Sequence, residues 1–403
     1  MNYYIIPASI LSIIIGYILG SILPAYIIGR IKGIDIRKVG TKNAGTSNVY
    51  HELGLSYAVM TGFYDFFKGL LAIWISSLLQ ENFIIMQLAG YAAIIGHVFP
   101  FYINFRGGQG LASSMALLIY YMVNYALYSS DIFVVLLYLL LILILFKVVC
   151  KVSNLLTILI YPLLGYSIWI FYPDNIFNIF TWIILGYIVI MAFNNIIRYN
   201  QIKINEDLKQ IWWKLVLNPV LMILVILYAI SPVAIFLILI GVLAITMGFI
   251  GFIRHLNQDI NDKLYLRIKL FFKETDEKKL LSISIILIAM FLTMLIFSFF
   301  NKSIVIAAFT FSLFGSTFNG FFGTLFGKRK LFSKTLEGFI GYTISVLMFT
   351  LVLFFSLGLS PFVLLIGGLS VAFLQTLPFK LNENLVVPLV SSFLMSLALM
   401  IGF

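Results

Sequence analysis

The side chains best suited to chemistry fall in three short polar stretches between long apolar runs. The first, GSILPAYIIGRIKGIDIRKVGTKNAGTSNVYHELG over residues 20–54, holds Arg30, Lys32, Arg37, Lys38 and Lys42 against only Asp35 and Glu52. From Gly40 to Asn48 it offers hydroxyls from Thr41, Thr46 and Ser47, amides from Asn43 and Asn48, and the glycines Gly40 and Gly45. Glycine lets a backbone approach a ligand closely, and successive N–H groups beside cations form an anion-binding concavity. That chemistry suits a phosphate at a membrane surface. A solvated basic loop placed by the positive-inside rule would show the same bases.

The second stretch is GHVFPFYINFRGGQG, residues 96–110. Arg106, Gly107, Gly108 and Gly110 suit backbone contact with phosphate, and the helix that follows would aim its N-terminus at the anion. A tight turn would use the same glycines. The third, FNNIIR, places Asn195 and Arg198 at the end of an apolar run, where interfacial polar residues are also common. Asp65 and Lys68 stand one helical turn apart inside another apolar run, and their spacing predicts a structural ion pair.

These residues must be carried by membrane helices. The chain is 62% hydrophobic and 10% charged with mean hydropathy +1.09, too little polarity to cover a soluble surface. Asn2 to Leu23 reads as a span rather than a cleaved signal peptide, because the run is too long and its polar start carries no Lys or Arg. The single cysteine, Cys150, excludes an internal disulfide framework and a cysteine zinc cluster. Three histidines make a histidine-rich metal site improbable, so no metal is expected here. The net charge of +11 would suggest nucleic acid in a soluble chain, but here it belongs to loops.

A helix rises ~1.5 Å per residue, so ~20 apolar residues cross a ~30 Å hydrocarbon core. The fold class is therefore all-α, a polytopic integral membrane protein of fourteen spans in two sets of seven. The first set lies near 3–23, 56–79, 83–101, 111–128, 132–150, 153–171 and 178–197. The second lies near 215–230, 233–252, 281–299, 304–323, 337–357, 362–378 and 386–402. With 20–54 cytoplasmic, alternation puts 102–110, 147–153, 198–214, 253–280, 324–336 and 379–385 on the same side. Every Lys and Arg then faces the cytoplasm except Lys68 and Lys302, which fixes both termini outside. The polar segment Arg198 to Lys214 marks a boundary between domains 1–214 and 215–403, and no internal repeat relates the two.

The first half resembles the bacterial acyl-phosphate-dependent glycerol-3-phosphate acyltransferases. GSILPAYIIG, GIDIRKVGTKNAGTSNV, DFFKG, GHVFPFYINFRGGQGLAS, KVSNLL and NNIIR match in order and in register over residues 1 to about 210. The resemblance implies acyl transfer from acyl phosphate to the sn-1 hydroxyl of glycerol 3-phosphate, giving lysophosphatidate in the plasma membrane, with the site on the cytoplasmic side and no cofactor. Carried over by motif, Thr41, Asn43, Ser47, Asn48, Ser153 and Asn195 would line the site. Arg37, Lys38, Lys42, Arg106, Gly107, Gly108, Gly110 and Arg198 would hold phosphate. The chain departs from the family in four places. A serine of the first loop is Thr41, and an arginine is His51. The glycine-loop lysine is Gln109, and a histidine three residues before Asn195 is Ala192.

The segment Lys263 to Lys279 spaces Leu264, Ile268, Phe271 and Phe272 helically among charges, which predicts an interfacial helix. Beyond it, FGSTFNGFFGTLFGKRKLFSKTLEG and LPFKLNENLVVPL resemble the polyprenol and phytol kinases, related to phosphatidate cytidylyltransferases. That resemblance implies a site for CTP and magnesium, with Lys328, Arg329, Lys330, Lys334 and Glu337 around the phosphates. The family's metal-holding aspartate is Ser316 here, leaving Glu337 and Glu383 as the remaining carboxylates. Two further readings stay open: a CTP-dependent lipid-alcohol kinase as the main activity, and a non-catalytic lipid-phosphate-binding protein.

Overall fold

Long runs of Leu, Ile, Phe and Val can satisfy their backbone within the segment itself only as helices when no water is present. A computed structural model describes residues 5–202, 206–256, 282–378 and 382–402, and they are almost entirely helical. Eleven helices among them are long and apolar enough to cross a membrane. Three shorter apolar helices, Lys214–Ile230, Ser282–Phe297 and Pro361–Leu374, lie where spans near 215–230, 281–299 and 362–378 are expected but fall short of that length. The chain is an all-helical, multi-pass membrane protein. The expected interfacial helix over 263–279 lies outside the described residues.

The chain folds into two compact units. The first contains residues 1–137 and 157–200. Its elements are α1 (Ile5–Ser21), α2 (Pro24–Ile31), α3 (Thr46–Leu53), α4 (Leu55–Leu79), α5 (Phe83–Val98), α6 (Leu111–Tyr128) and α9 (Asn178–Arg198). A 3₁₀ turn at Phe101–Ile103 follows α5. The helices α7 (Asp131–Val149) and α8 (Ser153–Phe171) begin or end in the segment 138–156, which packs with the second unit.

Small residues let the inner helices of the first unit approach closely. A methyl on Gly96 of α5 would meet the backbone of α1 at Ser21 N (2.8 Å), and Gly16 and Gly20 of α1 abut the backbone of Ala89 and Ala93. This is the close crossing that glycine allows between membrane helices. The helices α4 and α6 complete the bundle, and α3 lies against α4.

The second unit contains residues 138–156 and 201–403. It adds α10 (Glu206–Ile230), α11 (Val233–Leu256), α12 (Ser282–Phe297), α13 (Lys302–Phe326), α14 (Leu336–Leu357), α15 (Pro361–Leu374) and α16 (Glu383–Met400). The middle of this unit is α13. One face of it, through Val305, Phe309 and Leu313, joins α10, α11 and α12, while Ile304, Ala308 and Phe311 join α14, α15 and α16. A two-stranded hairpin, β1 (Lys330–Leu331) and β2 (Lys334–Thr335), links α13 to α14 in antiparallel register. The segment 138–156 joins this unit through Tyr138, whose hydroxyl donates to Leu347 O (2.5 Å), and through the Phe146–Phe322 ring contact.

Candidate active site

The first polar loop is basic outside and apolar beneath. Between α2 and α3 its Ile36 and Ala44 are fully buried with Leu23 and Val49, so two short side chains pin an otherwise hydrophilic segment. The main organiser is Asn48, 1% exposed, on the first turn of α3. Its Nδ2 donates to the carbonyls of Ile36 (2.8 Å), Val39 (3.1 Å) and Asn43 (3.1 Å), and its Oδ1 accepts from Thr41 N (2.9 Å). One buried amide thus meets four backbone groups of the loop, of which the Val39 carbonyl also accepts from Lys42 N (2.9 Å). Expected to line the site, Asn48 has its polar atoms occupied by the loop.

The loop turns through left-handed backbone at Gly40 (φ 55°) and Lys42 (φ 56°). This leaves Thr41, Asn43 and Gly45 half-buried, with Lys38, Lys42 and Ser47 exposed. The first turn of α3 has no side-chain cap, since its cap residue is Gly45. Its leading N–H groups carry partial positive charge beside Ser47 and Lys42.

Arg37, expected among the phosphate ligands, is spent on holding loops together. Its guanidinium grips Asp35 twice, Nε to Oδ1 (3.0 Å) and NH2 to Oδ2 (2.9 Å), and lies over the Tyr26 ring. The remaining NH1 donates to the carbonyls of Ile103 (3.2 Å) and Arg106 (3.3 Å) in the glycine loop. The Arg37 hydrogen bonds hold the Asp35 carboxyl down at about 2, and Asp35 in turn pushes the guanidinium up.

The glycine loop is a return along the end of α5. Asn104 and Phe105 take left-handed backbone (φ 57° and 55°), after which Gly107 N donates to Val98 O (3.0 Å) and Gly108 N to His97 O (3.1 Å). The expectation that these two amides cradle phosphate is therefore corrected: both are used within the chain. These positions are glycine because of packing. A methyl on Gly107 would strike the His97 carbonyl, and one on Gly108 would strike His97 Nε2 and the Ala44 carbonyl. Gly110 (φ 64°) opens α6, again with no side-chain cap. Arg106 is exposed at the rim.

The third stretch closes on the second. Gln109 Nε2 donates to Asn195 Oδ1 (2.6 Å), Asn195 Nδ2 returns a bond to Gln109 Oε1 (3.3 Å), and Tyr187 Oη donates to Gln109 O (2.6 Å). Arg198 is exposed over the Tyr199 ring, and Ala192 is buried. First loop, glycine loop and the end of α9 therefore meet in one unit. Of the expected residues, only Ser153 falls elsewhere: it begins α8 inside the second unit, where Lys147 Nζ donates to its hydroxyl (3.1 Å).

The expected Asp65–Lys68 ion pair is present (2.9 Å), buried, and joined by His97. Sequence reasoning missed His97 and the pairing role of Gln109. The GHVFP context, which puts a histidine one turn from the end of an apolar run, was the available signal for the first.

In the second unit Ser316 is 7% exposed, donates to Leu313 O (3.1 Å) and accepts from Asn218 Nδ2 (3.0 Å). The Glu337 carboxylate accepts from Lys328 N (3.0 Å), Arg329 N (3.2 Å) and Arg329 Nε (3.1 Å), so it closes its own hairpin. Glu383 pairs with Lys334 (3.1 Å). Among the described residues no three His, Cys, Asp or Glu side chains converge as a metal site would require.

Known proteins match the unit that holds the assembled loops. The family model for glycerol-3-phosphate acyltransferase matches residues 10–201. The glycerol-3-phosphate acyltransferases of Endomicrobium trichonymphae and Thermosipho melanesiensis are 38% and 39% identical, over 26% of this chain and 54% and 52% of theirs. The chain thus spans about half the length of these relatives. The Streptococcus pyogenes serotype M5 enzyme is 33% identical over 184 residues, 45% of this chain and 84% of its own. A crystal structure of PlsY (YgiH), an integral membrane glycerol 3-phosphate acyltransferase in its glycerol 3-phosphate form, aligns at 28% identity with a TM-score of 0.37, over 48% of this chain and 92% of that one. Through residues 10–201, the chain belongs to the glycerol-3-phosphate acyltransferase family.

Proposed function

We propose that the first unit transfers an acyl group from acyl phosphate to glycerol 3-phosphate, releasing lysophosphatidate and phosphate. The observation that carries this reading is the junction of three segments, rich in hydroxyls, amides and bases, through Arg37, Asn48 and the Gln109–Asn195 pair. Two anionic substrates must be held there with one hydroxyl against one carbonyl. An acyl phosphate is already activated, so the chain need supply no nucleophile. Orientation of two bound reactants can contribute ~7–11 kcal/mol to lowering the barrier. Donors fixed at the developing oxyanion contribute further.

The roles divide by exposure. Thr41, Asn43, Ser47, Lys38, Lys42, Arg106 and Arg198 reach solvent and contact the substrates, with the open N-termini of α3 and α6 favouring their phosphates. Asn48, Arg37, Gly107 and Gly108 hold the loops in place. The excess of Lys and Arg in these loops supports a cytoplasmic site in the plasma membrane. The test is acyl transfer by the purified chain, offering palmitoyl phosphate and palmitoyl-CoA side by side as donors.

The second unit we read as a lipid-kinase-like module without metal chemistry. Magnesium asks for hard, charged oxygens, and the residues present do not suit it. Ser316 is neutral and held by Asn218, Glu337 closes a hairpin, and Glu383 is paired with Lys334. Absence of phosphate transfer from CTP to phytol, dolichol or diacylglycerol is the expected outcome.

A further inference from the structure

Three ionisable side chains are buried together in the first unit, and the roles assigned above use none of them. The side chains of Asp65, Lys68 and His97 are 2%, 0% and 4% exposed. Charges at membrane depth are costly and persist where they are paired or functional. Lys68 Nζ donates to Asp65 Oδ1 (2.9 Å) and to the carbonyl of Gly20 (3.0 Å), and it lies 2.6 Å from His97 Nδ1 and 3.4 Å from the Ile22 carbonyl.

With Lys68 as an ammonium, which has donors only, His97 accepts at Nδ1, and a neutral ring that accepts there carries its proton on Nε2. Asp65 Oδ1 and His97 Nδ1, 3.3 Å apart, then share one ammonium between them. The far edge of the ring lies beneath Gly108, where the glycine loop meets the Ala44 carbonyl of the first loop. The side-chain contacts of His97 with Lys68 and Asp65 both run through Nδ1, which leaves Nε2 as the ring atom turned toward the two loops. The Nε2 edge is held in orientation by the Nδ1 contacts and placed at the contact of the two loops.

We propose that His97 is a further residue of the substrate site. Its Nε2–H donates to an oxygen of a bound phosphate where the first loop and the glycine loop meet, while Asp65 and Lys68 are positioning residues that fix its tautomer. That the phosphate belongs to an acyl-transfer substrate rests on the function proposed above; the donor geometry does not.

The test is ¹⁵N NMR of the full chain labelled at histidine, in detergent micelles. His51→Gln and His255→Gln variants assign the signals. The expected spectrum has His97 protonated at Nε2 and bare at Nδ1, with the Nε2 signal moved by saturating glycerol 3-phosphate or palmitoyl phosphate. Adding the two separately shows which phosphate is met. A bare Nε2, or a signal that neither ligand moves, would overturn the proposal. Two substitutions provide the functional arm. His97→Gln keeps an N–H close to the Nε2 position, whereas His97→Asn keeps one only near Nδ1. We expect His97→Asn to lose roughly ten- to a hundredfold more kcat/KM than His97→Gln, chiefly as a raised KM for one phosphate substrate. Equal losses with unchanged KM would assign the cluster to folding alone. A native chain that transfers no acyl group, yet shows the ligand-dependent Nε2 shift, would sink the acyl-transfer reading and leave this one standing.

Discussion

Gln109 and Asn195 exchange two amide hydrogen bonds, 2.6 Å and 3.3 Å long, across the gap between the glycine loop and the end of α9. Each amide supplies the donor that the other accepts, so truncating Gln109 leaves the buried Asn195 unmet and truncating Asn195 leaves the half-buried Gln109 unmet. We expect Gln109→Ala and Asn195→Ala each to lower thermal stability by about 1–2 kcal/mol. The double variant should cost less than the sum, with a coupling of ~0.5 kcal/mol or more. Strict additivity in a thermal-unfolding cycle would show that the two side chains do not act as a pair.

Arg37 and Asp35 make an acid-sensitive clasp. The folded protein holds the Asp35 carboxyl at about 2 against an ordinary value of 3.8. A depressed carboxyl stabilises the fold above its ordinary value, and that contribution fades as pH falls through the folded value. Between those two values native protein should lose melting temperature more steeply than Asp35→Asn. Parallel curves would place no linkage at this residue. Arg37→Ala, which frees the Ile103 and Arg106 carbonyls, should raise KM for glycerol 3-phosphate more than it lowers kcat.

Asn43 and Asn48 separate contact from support. Asn48→Ala removes a partner of four backbone groups, and we expect a stability loss of roughly 2–4 kcal/mol. Asn43 is half-buried at the loop surface, and Asn43→Ala should change stability by under ~0.5 kcal/mol while abolishing transfer. Comparing unfolding and turnover for both variants checks this, and a stable, active Asn43→Ala would remove that residue from the site.

The second unit should be silent with CTP. Ser316→Asp would put a carboxylate where Asn218 Nδ2 now meets a hydroxyl. It should raise magnesium-dependent CTP binding while the native chain shows none in equilibrium dialysis. Robust CTP turnover by the native chain would make that unit an enzyme.

What could be read in the sequence followed from how local each cause was. Apolar runs dictate helices wherever they occur, so the spans and the Asp65–Lys68 pair, three residues apart, were legible. The polar stretches were legible as composition, but not which atoms within them were free. Gly107 and Gly108 look like a phosphate cradle until their amides are seen bonded to Val98 and His97. Arg37 looks like an anion ligand until Ile103 and Arg106, far along the chain, claim its NH1. His97 reaches Lys68 and Gly108 only because α4 and α5 pack side by side. Those contacts are non-local, and no spacing rule reports them.

The most direct measurement of the central claim is the conversion of labelled glycerol 3-phosphate to labelled lysophosphatidate by purified, folded protein. With palmitoyl phosphate as donor, the account predicts product that grows with time, none with palmitoyl-CoA, and none from Asn43→Ala. A folded native protein that forms no lysophosphatidate, or one that uses palmitoyl-CoA in place of palmitoyl phosphate, would contradict it.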